Sequence, residues 1–570
     1  MSENGQPKLV TINIDGKDFE VPDGMNLVDA CESVGVEVPH YCYHPHLSVS
    51  GNCRMCLVEM GMPMRDRATG EPIMDDDTGK QKIGWMPKPA IACASKATPG
   101  VHIKTQSDLT KSCREGVMEF LLVNHPLDCP ICDQAGECRL QEFATDYGRG
   151  FSRYVEEKNV KPKRTVLGPR VTLDDERCIL CSRCVRFCSE IDKNPVLGFT
   201  ERGSHNTLTC YPGTQLDSNY SLNTVDICPV GALTSTDFRF KMRVWFLKPT
   251  KSICTESSAG VNTEVWSREG KLYRVTPRRN DEVNDTWMTD SGRMLYKLVE
   301  AEDRMQRFRI DGQVASLGNA VLRARELIQL GSVAYVASGH LSVEEQAMFG
   351  KLVAKEPGSV TFVSHAEEGD GRLITNDRTP NVRGGLVTGL INELPVAQLD
   401  QLRAQLEAGE VATIVSYGED LVAAGIPADL LKKANVVYLG THRNATTDLA
   451  RVLLPTLTVF EKTGTFINQQ FRLQKFYQAV PGPAGLMPDV FVLDALLAEC
   501  AGGAPCRPTL GQIWEHLNET VDILKDVNFS KIPETGLLLD GSAYADLPFC
   551  EGPGWHYEPK AELAAATANL

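Results

Sequence analysis

Twelve residues stand at spacings suited to holding metal, and eleven of them are cysteines. Cys42, Cys53, Cys56 and Cys93 form the first set, with ten, two and thirty-six residues between successive members. Four thiolates suit a binuclear iron–sulfur cluster, because each iron needs two soft ligands beside its two sulfides. Gly51 fits a loop whose backbone amides come close to such a group. Zinc is the competing reading, and it fits less well because zinc sites usually pair two C-x2-C knuckles. The second set is His125, Cys129, Cys132 and Cys138, in the run His125-Pro126-Leu127-Asp128-Cys129-Pro130-Ile131-Cys132. Three thiolates and an imidazole also make an ordinary zinc set, so from residues alone both the metal and the part played by His125 stay open. The third is Cys178, Cys181 and Cys184 with a remote Cys228 followed by Pro229, the pattern that cradles a tetranuclear cluster in bacterial ferredoxins. Cys188 completes a local C-x2-C-x2-C-x3-C, but with no second run to share it, it reads as a spare thiol.

Sixteen of the nineteen cysteines lie in residues 1–254. Crowding at short fixed spacings points to ligation, and a reducing compartment disfavours disulfides. The eight left over (Cys31, Cys113, Cys188, Cys210, Cys254, Cys500, Cys506 and Cys550) read as small hydrophobes. Acidic residues outnumber basic ones by 74 to 59, a net charge of −15 that repels phosphate backbones and sets nucleic acid aside. The longest apolar candidate, Val490–Ala498, is interrupted by Asp494 and too short to span a bilayer, and Met1–Pro7 lacks a secretory plan. The default location is cytoplasmic. No G-x-G-x-x-G follows a strand and no phosphate-binding loop motif occurs, so nucleotide binding has no support. His340, His442 and His556 have no ligand spacing to other candidates, and no residue reads as catalytic acid, base or nucleophile.

These sets need elements to hold them. Residues 8–21 alternate around Asp15-Gly16 as a hairpin, and Asn26–Val34 has helical period ending at Gly35. Hairpin, helix and cysteine loop together predict a small β-grasp domain. Met60–Pro89, rich in Pro, Gly and Asp, reads as a surface insertion. A helix is predicted over Leu109–Asn124 with Asp108 as N-cap, and Lys158–Arg170 as a solvated connector. Further on, strands at Val333–Ala337, Val411–Val415 and Asn435–Leu439 alternate with helices at Val343–Val353 and Leu421–Lys433, the signature of parallel β-α-β units. The Ala-rich tail Ala561–Leu570 reads as frayed.

The order of the three sets, with His125–Glu137 (HPLDCPICDQAGE), Cys178–Phe187 (CILCSRCVRF) and Ile227–Leu233 (ICPVGAL), resembles the large iron–sulfur subunit of respiratory complex I, NADH:quinone oxidoreductase. The resemblance covers about residues 1–300. Thr441, Ala445, Asp448–Pro455, Glu461, Gly464–Asn468 and Arg472 are similar to the molybdopterin-oxidoreductase fold beyond it. It implies an α+β N-terminal half and a shortened α/β molybdopterin-oxidoreductase-like domain. The boundaries are 1–107 (β-grasp, 2Fe-2S), 108–150 (His plus three Cys, 4Fe-4S), 165–247 (ferredoxin-like, 4Fe-4S), 248–304 (cluster-free) and 305–570. It makes His125 a nitrogen ligand. Some relatives bind a further cluster in the fourth region, but here Cys254 is accompanied by Ser257, Val261 and Thr289, so that cluster is expected to be missing. No molybdopterin chemistry is expected, because the C-terminal half is short and its three cysteines lie near its end.

The function implied is an electron relay inside a proton-translocating NADH:quinone oxidoreductase. One 2Fe-2S and two 4Fe-4S clusters would pass electrons from an FMN/NADH subunit toward quinone. The implied partners are that subunit, a small 2Fe-2S subunit, a two-cluster ferredoxin-like subunit and the quinone-site subunits, with membrane contact only through the complex, on its cytoplasmic face. The matching subunit of a soluble NAD-linked hydrogenase or formate dehydrogenase is the alternative, and a zinc-stabilised assembly scaffold the rival from another class.

Overall fold

The computed structural model describes residues 8–66, 69–76, 79–394 and 398–550, which divide into two compact units between Trp245 and Phe246. The tail from 561 and His556 lie outside the described residues.

The first unit opens with the expected hairpin, β1 (Leu9–Ile14) against β2 (Lys17–Pro22). Asp15 and Gly16 both take positive φ, 50° and 86°, as a two-residue turn matched to strand twist requires. Helix α1 (Leu27–Ser33) begins at Asn26, whose side chain accepts from the Val28 amide, and buries Leu27, Val28, Ala30 and Cys31. Strands β3 (Leu57–Pro63), β4 (Ile83–Trp85), β5 (Ala90–Ile91) and β6 (His102–Lys104) complete a six-stranded sheet. Its order is β2-β1-β6-β3-β4, with β5 paired to β3 and β6 parallel to β1.

One sequence expectation is extended here and another corrected. Met60–Pro89 lies largely exposed, as a surface insertion should, and its described residues form a ribbon: β3 and β4 pair from Gly61↔Trp85 to Pro63↔Ile83, and bridges Arg65↔Pro72 and Met74↔Gln81 extend it. Asp66 with Gly70 and Asp75 with Gly79 close turns between paired segments, a pairing that composition alone does not show. Helix α2 (Asp108–Leu122) is capped by Ser107, whose hydroxyl accepts from the Thr110 amide. Asp108 lies in the first turn, where a carboxylate meets the positive helix end.

After α3 (Arg139–Tyr147), Lys158–Arg170 is a second correction. Lys158 donates to the Leu122 and Val123 carbonyls at 2.9 and 2.8 Å, and Lys163 pairs with Asp128 and Glu176, each at 2.7 Å. Burial of partner oxygens turns a basic run into a strap. Strands β7 (Thr165–Val166) and β8 (Val171–Leu173), helix α4 (Arg183–Glu190), strands β9 (Leu197–Thr200) and β10 (Thr207–Cys210), helix α5 (Asn223–Asp226) and β11 (Leu233–Ser235) finish the unit. They form two small sheets, β11-β8-β7 and β10-β9.

The second unit starts with an antiparallel sheet of β12 (Lys248–Ile253), β13 (Asn262–Arg268) and β14 (Lys271–Pro277), followed by α6 (Asp290–Met294). A β15 (Arg309–Ile310) and β16 (Gln313–Val314) hairpin leads into α7 (Leu317–Ile328), β17 (Val333–Ala337), α8 (Val343–Lys355) and β18 (Ser359–Phe362). Then come α9 (Val382–Val387), α10 (Gln398–Ala408), β19 (Thr413–Tyr417), α11 (Ala428–Leu431), β20 (Asn435–Gly440) and β21 (Val452–Pro455). The strands make one sheet, β16-β15-β21-β20-β19-β17-β18, parallel from β21 to β18. Every residue of β17 and β19 is buried, as a parallel sheet covered on both faces requires. The helix expected over Leu421–Lys433 shrinks to α11, because Gly425 takes φ 107° and Pro427 precedes the helical turn. Strands β22 (Gly464–Ile467) and β23 (Arg472–Phe476), helices α12 (Asp489–Ala501) and α13 (Leu510–Thr520), and β24 (Leu537–Leu538) close the unit. Among the described residues no helix is long and apolar enough to cross a membrane.

Candidate metal centres

In the first unit the structure gathers the Cys42 set at one point. The Cys53 and Cys93 thiols hydrogen-bond the Cys42 sulfur, and Cys93 also reaches Cys56. Those bonds, from Cys53 first, hold Cys42 far below the usual thiol range, and the same bonds push Cys53 and Cys93 above it. Amides of Asn52 and Cys53 point at the same sulfur, and Gly51 turns the loop at φ 62°. Cys56 sits just ahead of β3 and Cys93 in the single turn after β5, where Asn26 donates to the Cys93 carbonyl at 2.5 Å. Sheet and α1 thus fix both ends of the set.

Cys178, Cys181, Cys184 and Cys228 line one cavity walled by Phe199, Leu208 and Leu233. Leu180 and Ser182 take φ of 56° and 62°, a left-handed conformation that bends the short loop so its thiols converge. The Leu180 amide donates to Cys178 Sγ at 3.4 Å, and amides of Val230, Ala232 and Leu233 aim at Cys228. Burial pushes Cys228 up to about 11, so an empty pocket favours the thiol, and a bound cation would favour the thiolate. Cys188 is buried on α4 beside Asp192 and Cys210, apart from the cavity lining.

Between them in the sequence stands the His125 set. Cys132 and Cys138 are buried, Cys129 is exposed, and the three thiols interact electrostatically. Arg243 clasps the loop by donating to the Cys132 carbonyl at 2.5 Å and to the Pro130 carbonyl. Asp128 pairs with Arg177 at 2.9 Å and with Lys163. His125 is half-buried in the wall of a cavity shared with Cys178 and Ile179. Burial, helped by the charges of Lys158 and Arg177, lowers its pKa to about 4, so at neutral pH the imidazole carries a free lone pair.

The sets are linked in an order that differs from their order along the chain. The first touches the third through α4. The Arg186 guanidinium donates to the Cys42 carbonyl at 2.5 Å and to the Cys181 carbonyl at 3.4 Å. The third touches the second through Cys228–Gly231: Pro229 O accepts from the Arg139 amide at 3.2 Å, and a Cβ on Gly231 would stand 2.3 Å from Cys132 Sγ. Cysteine spacing points to none of these basic residues, nor to Gly231. The available signal is arginine interleaved with cysteine in Cys181-Ser182-Arg183-Cys184-Val185-Arg186.

At the Cys42 and Cys178 sets the donors fit iron–sulfur groups, because soft sulfurs converge and backbone amides point at them; in the His125 set Cys129 is exposed, and His125 lines a cavity with Cys178 rather than with its own cysteines. In the second unit Cys254 is buried beside Glu256 and Arg293, and the Thr289 hydroxyl caps α6 and donates to Glu256. One thiol among Ser257, Val261 and Thr289 does not make a four-sulfur set.

Comparison with known proteins follows the same layout. Residues 7–108 match the family model of a 2Fe-2S iron–sulfur cluster binding domain, and 114–153 the NADH-ubiquinone oxidoreductase-G iron-sulfur binding region. Residues 168–234 match the ferredoxin-like domain of NADH-quinone oxidoreductase subunit 3. Residues 247–297 match the NDSU1/NuoG-like 4Fe-4S domain, and 418–499 match molybdopterin oxidoreductase. The chain is 43% identical over 289 residues to an NADH-quinone oxidoreductase subunit from Rickettsia conorii, covering 50% of this chain and 39% of the relative. It is 43% identical over 288 residues to the mitochondrial NADH dehydrogenase [ubiquinone] iron-sulfur protein 1 of Solanum tuberosum, covering 50% and 36%. With the 78 kDa subunit of mitochondrial NADH-ubiquinone oxidoreductase from Neurospora crassa it shares 39% over 368 residues, covering 62% and 46%. The chain thus spans less than half the length of each of these relatives. It carries 2Fe-2S and 4Fe-4S binding domains followed by a molybdopterin-oxidoreductase-like region, and its homologues are the large iron–sulfur subunits of NADH–quinone oxidoreductase.

Proposed function

We propose that this chain is the electron-relay subunit of a proton-translocating NADH:quinone oxidoreductase, with no substrate site of its own. In this reading Cys42, Cys53, Cys56 and Cys93 hold a 2Fe-2S cluster. His125, Cys129, Cys132 and Cys138 hold one 4Fe-4S cluster, and Cys178, Cys181, Cys184 and Cys228 a second. When bound, such clusters supply one-electron exchange to a two-electron donor such as a reduced flavin. The chain's residues supply ligation, spacing and a dry surrounding. The region 248–304 holds no cluster, and the C-terminal domain carries no molybdopterin. The chain meets the flavin, small 2Fe-2S, two-cluster ferredoxin-like and quinone-site subunits, and joins the cytoplasmic face of the membrane only through them.

The observation that carries this reading is the contiguous row of thiol sets: Cys42 and Cys181 share one guanidinium, and the loop after Cys228 packs on Cys132. A zinc scaffold has no use for such a row. The test is analysis of the anaerobically purified full chain. The expected result is about ten iron and ten sulfide per chain, with visible absorption that bleaches under dithionite. Zinc in place of iron, with no bleaching, would refute the relay. Purification of the native assembly separates the alternatives: quinone reductase activity supports complex I, and a soluble assembly consuming hydrogen or formate refutes it.

A further inference from the structure

Helix α4 spends one face on the loop of the first cysteine set. Arg183, Arg186 and Glu190 fall at i, i+3 and i+7, so they share a side of the helix. All three reach into residues 42–48. Arg183 donates to the Tyr43 carbonyl and, at 3.2 Å, to the Ile227 carbonyl beside Cys228. Arg186 donates to the carbonyls of Cys42, Cys181 and Ser48, and through Nε to Ser182 Oγ at 3.2 Å. The Glu190 carboxylate accepts from the Ser48 amide at 2.8 Å and from the Ser48 hydroxyl. Each arginine therefore joins a carbonyl of the first set's loop to a carbonyl in a ligand segment of the third. A guanidinium can do this because its donors form a rigid planar fork, whereas an ammonium is one compact point. Cys184 itself lies on α4, between the two arginines.

We infer that Arg186, supported by Arg183, is a positioning residue that fixes the two cluster sites against one another and raises the reduction potential of both through its positive charge. The inference rests on the proposed ligation of clusters by the Cys42 and Cys178 sets. Adding an electron makes an iron–sulfur group more negative, so a fixed neighbouring cation favours the reduced form. The same cation serves both sites and keeps their potentials moving together.

The test uses the full chain loaded with iron and sulfide, an EPR-monitored redox titration, and measurement of the spin–spin interaction between the two reduced clusters. In Arg186→Gln, both midpoints should fall and the interaction should weaken, while the His125-set cluster shifts less. In Arg186→Lys, the midpoints should return toward those of the native chain, since charge is restored, but the interaction should stay weakened, since one ammonium cannot span three carbonyls. Native midpoints and interaction in Arg186→Gln would overturn the inference. If the Gln variant fails to hold iron, the Lys variant decides alone: native midpoints with a weakened interaction support the bridge, and a fully native spectrum overturns it. A native chain that binds no iron sinks the ligation reading itself, which is a different failure.

Discussion

Substituting Gly231 by alanine tests the second site without touching a ligand. The added Cβ would stand 2.3 Å from Cys132 Sγ and 3.0 Å from Gln134 Cβ, where ordinary contacts begin at 3.4 Å. The sulfur must therefore move by about 1 Å. Metal–ligand distances tolerate only about 0.2 Å, so a ligating Cys132 cannot make that move and stay bound. A non-ligating thiol could rotate about its Cα–Cβ bond and escape at the ordinary overpacking cost of about 1–3 kcal/mol. Anaerobic purification with iron analysis and low-temperature EPR reads the difference. The expected result is iron falling from about ten to about six per chain, loss of the second-set signal, and an intact signal from the Cys42 set. Gly116→Ala, on α2 where a Cβ meets nothing within 4 Å, is the control, with unchanged iron and about 0.5–1 kcal/mol gained in helix stability. Full iron and an unaltered second signal in Gly231→Ala would refute ligation by Cys132.

Replacing His125 by cysteine should retain a cluster with shifted g-values and potential, and an unchanged spectrum would remove His125 from the ligand set. In the second unit Arg304 and Glu461 pair at 2.7 Å with each side chain 1% exposed, so Glu461→Ala leaves a buried cation and should cost about 3–5 kcal/mol by urea unfolding. A loss under about 1 kcal/mol would show that the pair is not isolated from water. The His365 imidazole bonds Glu419 at 2.8 Å, and that bond raises its pKa above the ordinary value near 6.5. A raised folded value stabilises the protein fully below the unfolded pKa, and the contribution fades as pH climbs through the folded one. His365→Gln should thus lower the urea midpoint at about pH 5 and have little effect at about pH 9. An equal loss at both would assign the bond a neutral role.

Short-range pattern carries much of this protein. The Asp15-Gly16 turn, α1 and strands β17 and β20 follow from alternation, caps and apolar runs, because those signals are local. The Met60–Pro89 ribbon is hidden because its pairing partners are what make it a ribbon, and Pro and Gly look alike in a loop and in a turn between strands. The Lys158–Arg170 strap is hidden for a related reason. A lysine's role depends on whether a carboxylate such as Asp128 or Glu176 is buried within reach, which spacing does not encode. The Leu421–Lys433 segment has apolar helical periodicity, but Gly425 and Pro427 outweigh it. Cysteine spacing names the members of each set. It is silent on which set neighbours which, because that order is written in Arg186, Pro229 and Gly231.

The chain is acidic as a whole, yet basic side chains reach all three sets, some of them paired with carboxylates such as Asp128 and Glu176. A net −15 is a property of the whole chain and sets what it repels at long range. Around the three sets the neighbours are Arg177, Arg183, Arg186, Arg243, Lys158 and Lys163. Thiolates gathered in a dry pocket need compensating charge, or burial drives them back to thiols, as at Cys228. Yet a cation bonded directly to a sulfur would compete with metal for its lone pairs. The arginines resolve the conflict by donating to the carbonyls of Cys42, Cys132 and Cys181 while amides serve the sulfurs. Positive charge at these three residues is thereby held on backbone carbonyls, and the sulfurs are left to the amides. At Arg186 a lysine keeps the charge and loses the span over three carbonyls, whereas a glutamine loses both, so the two contributions are separable by experiment.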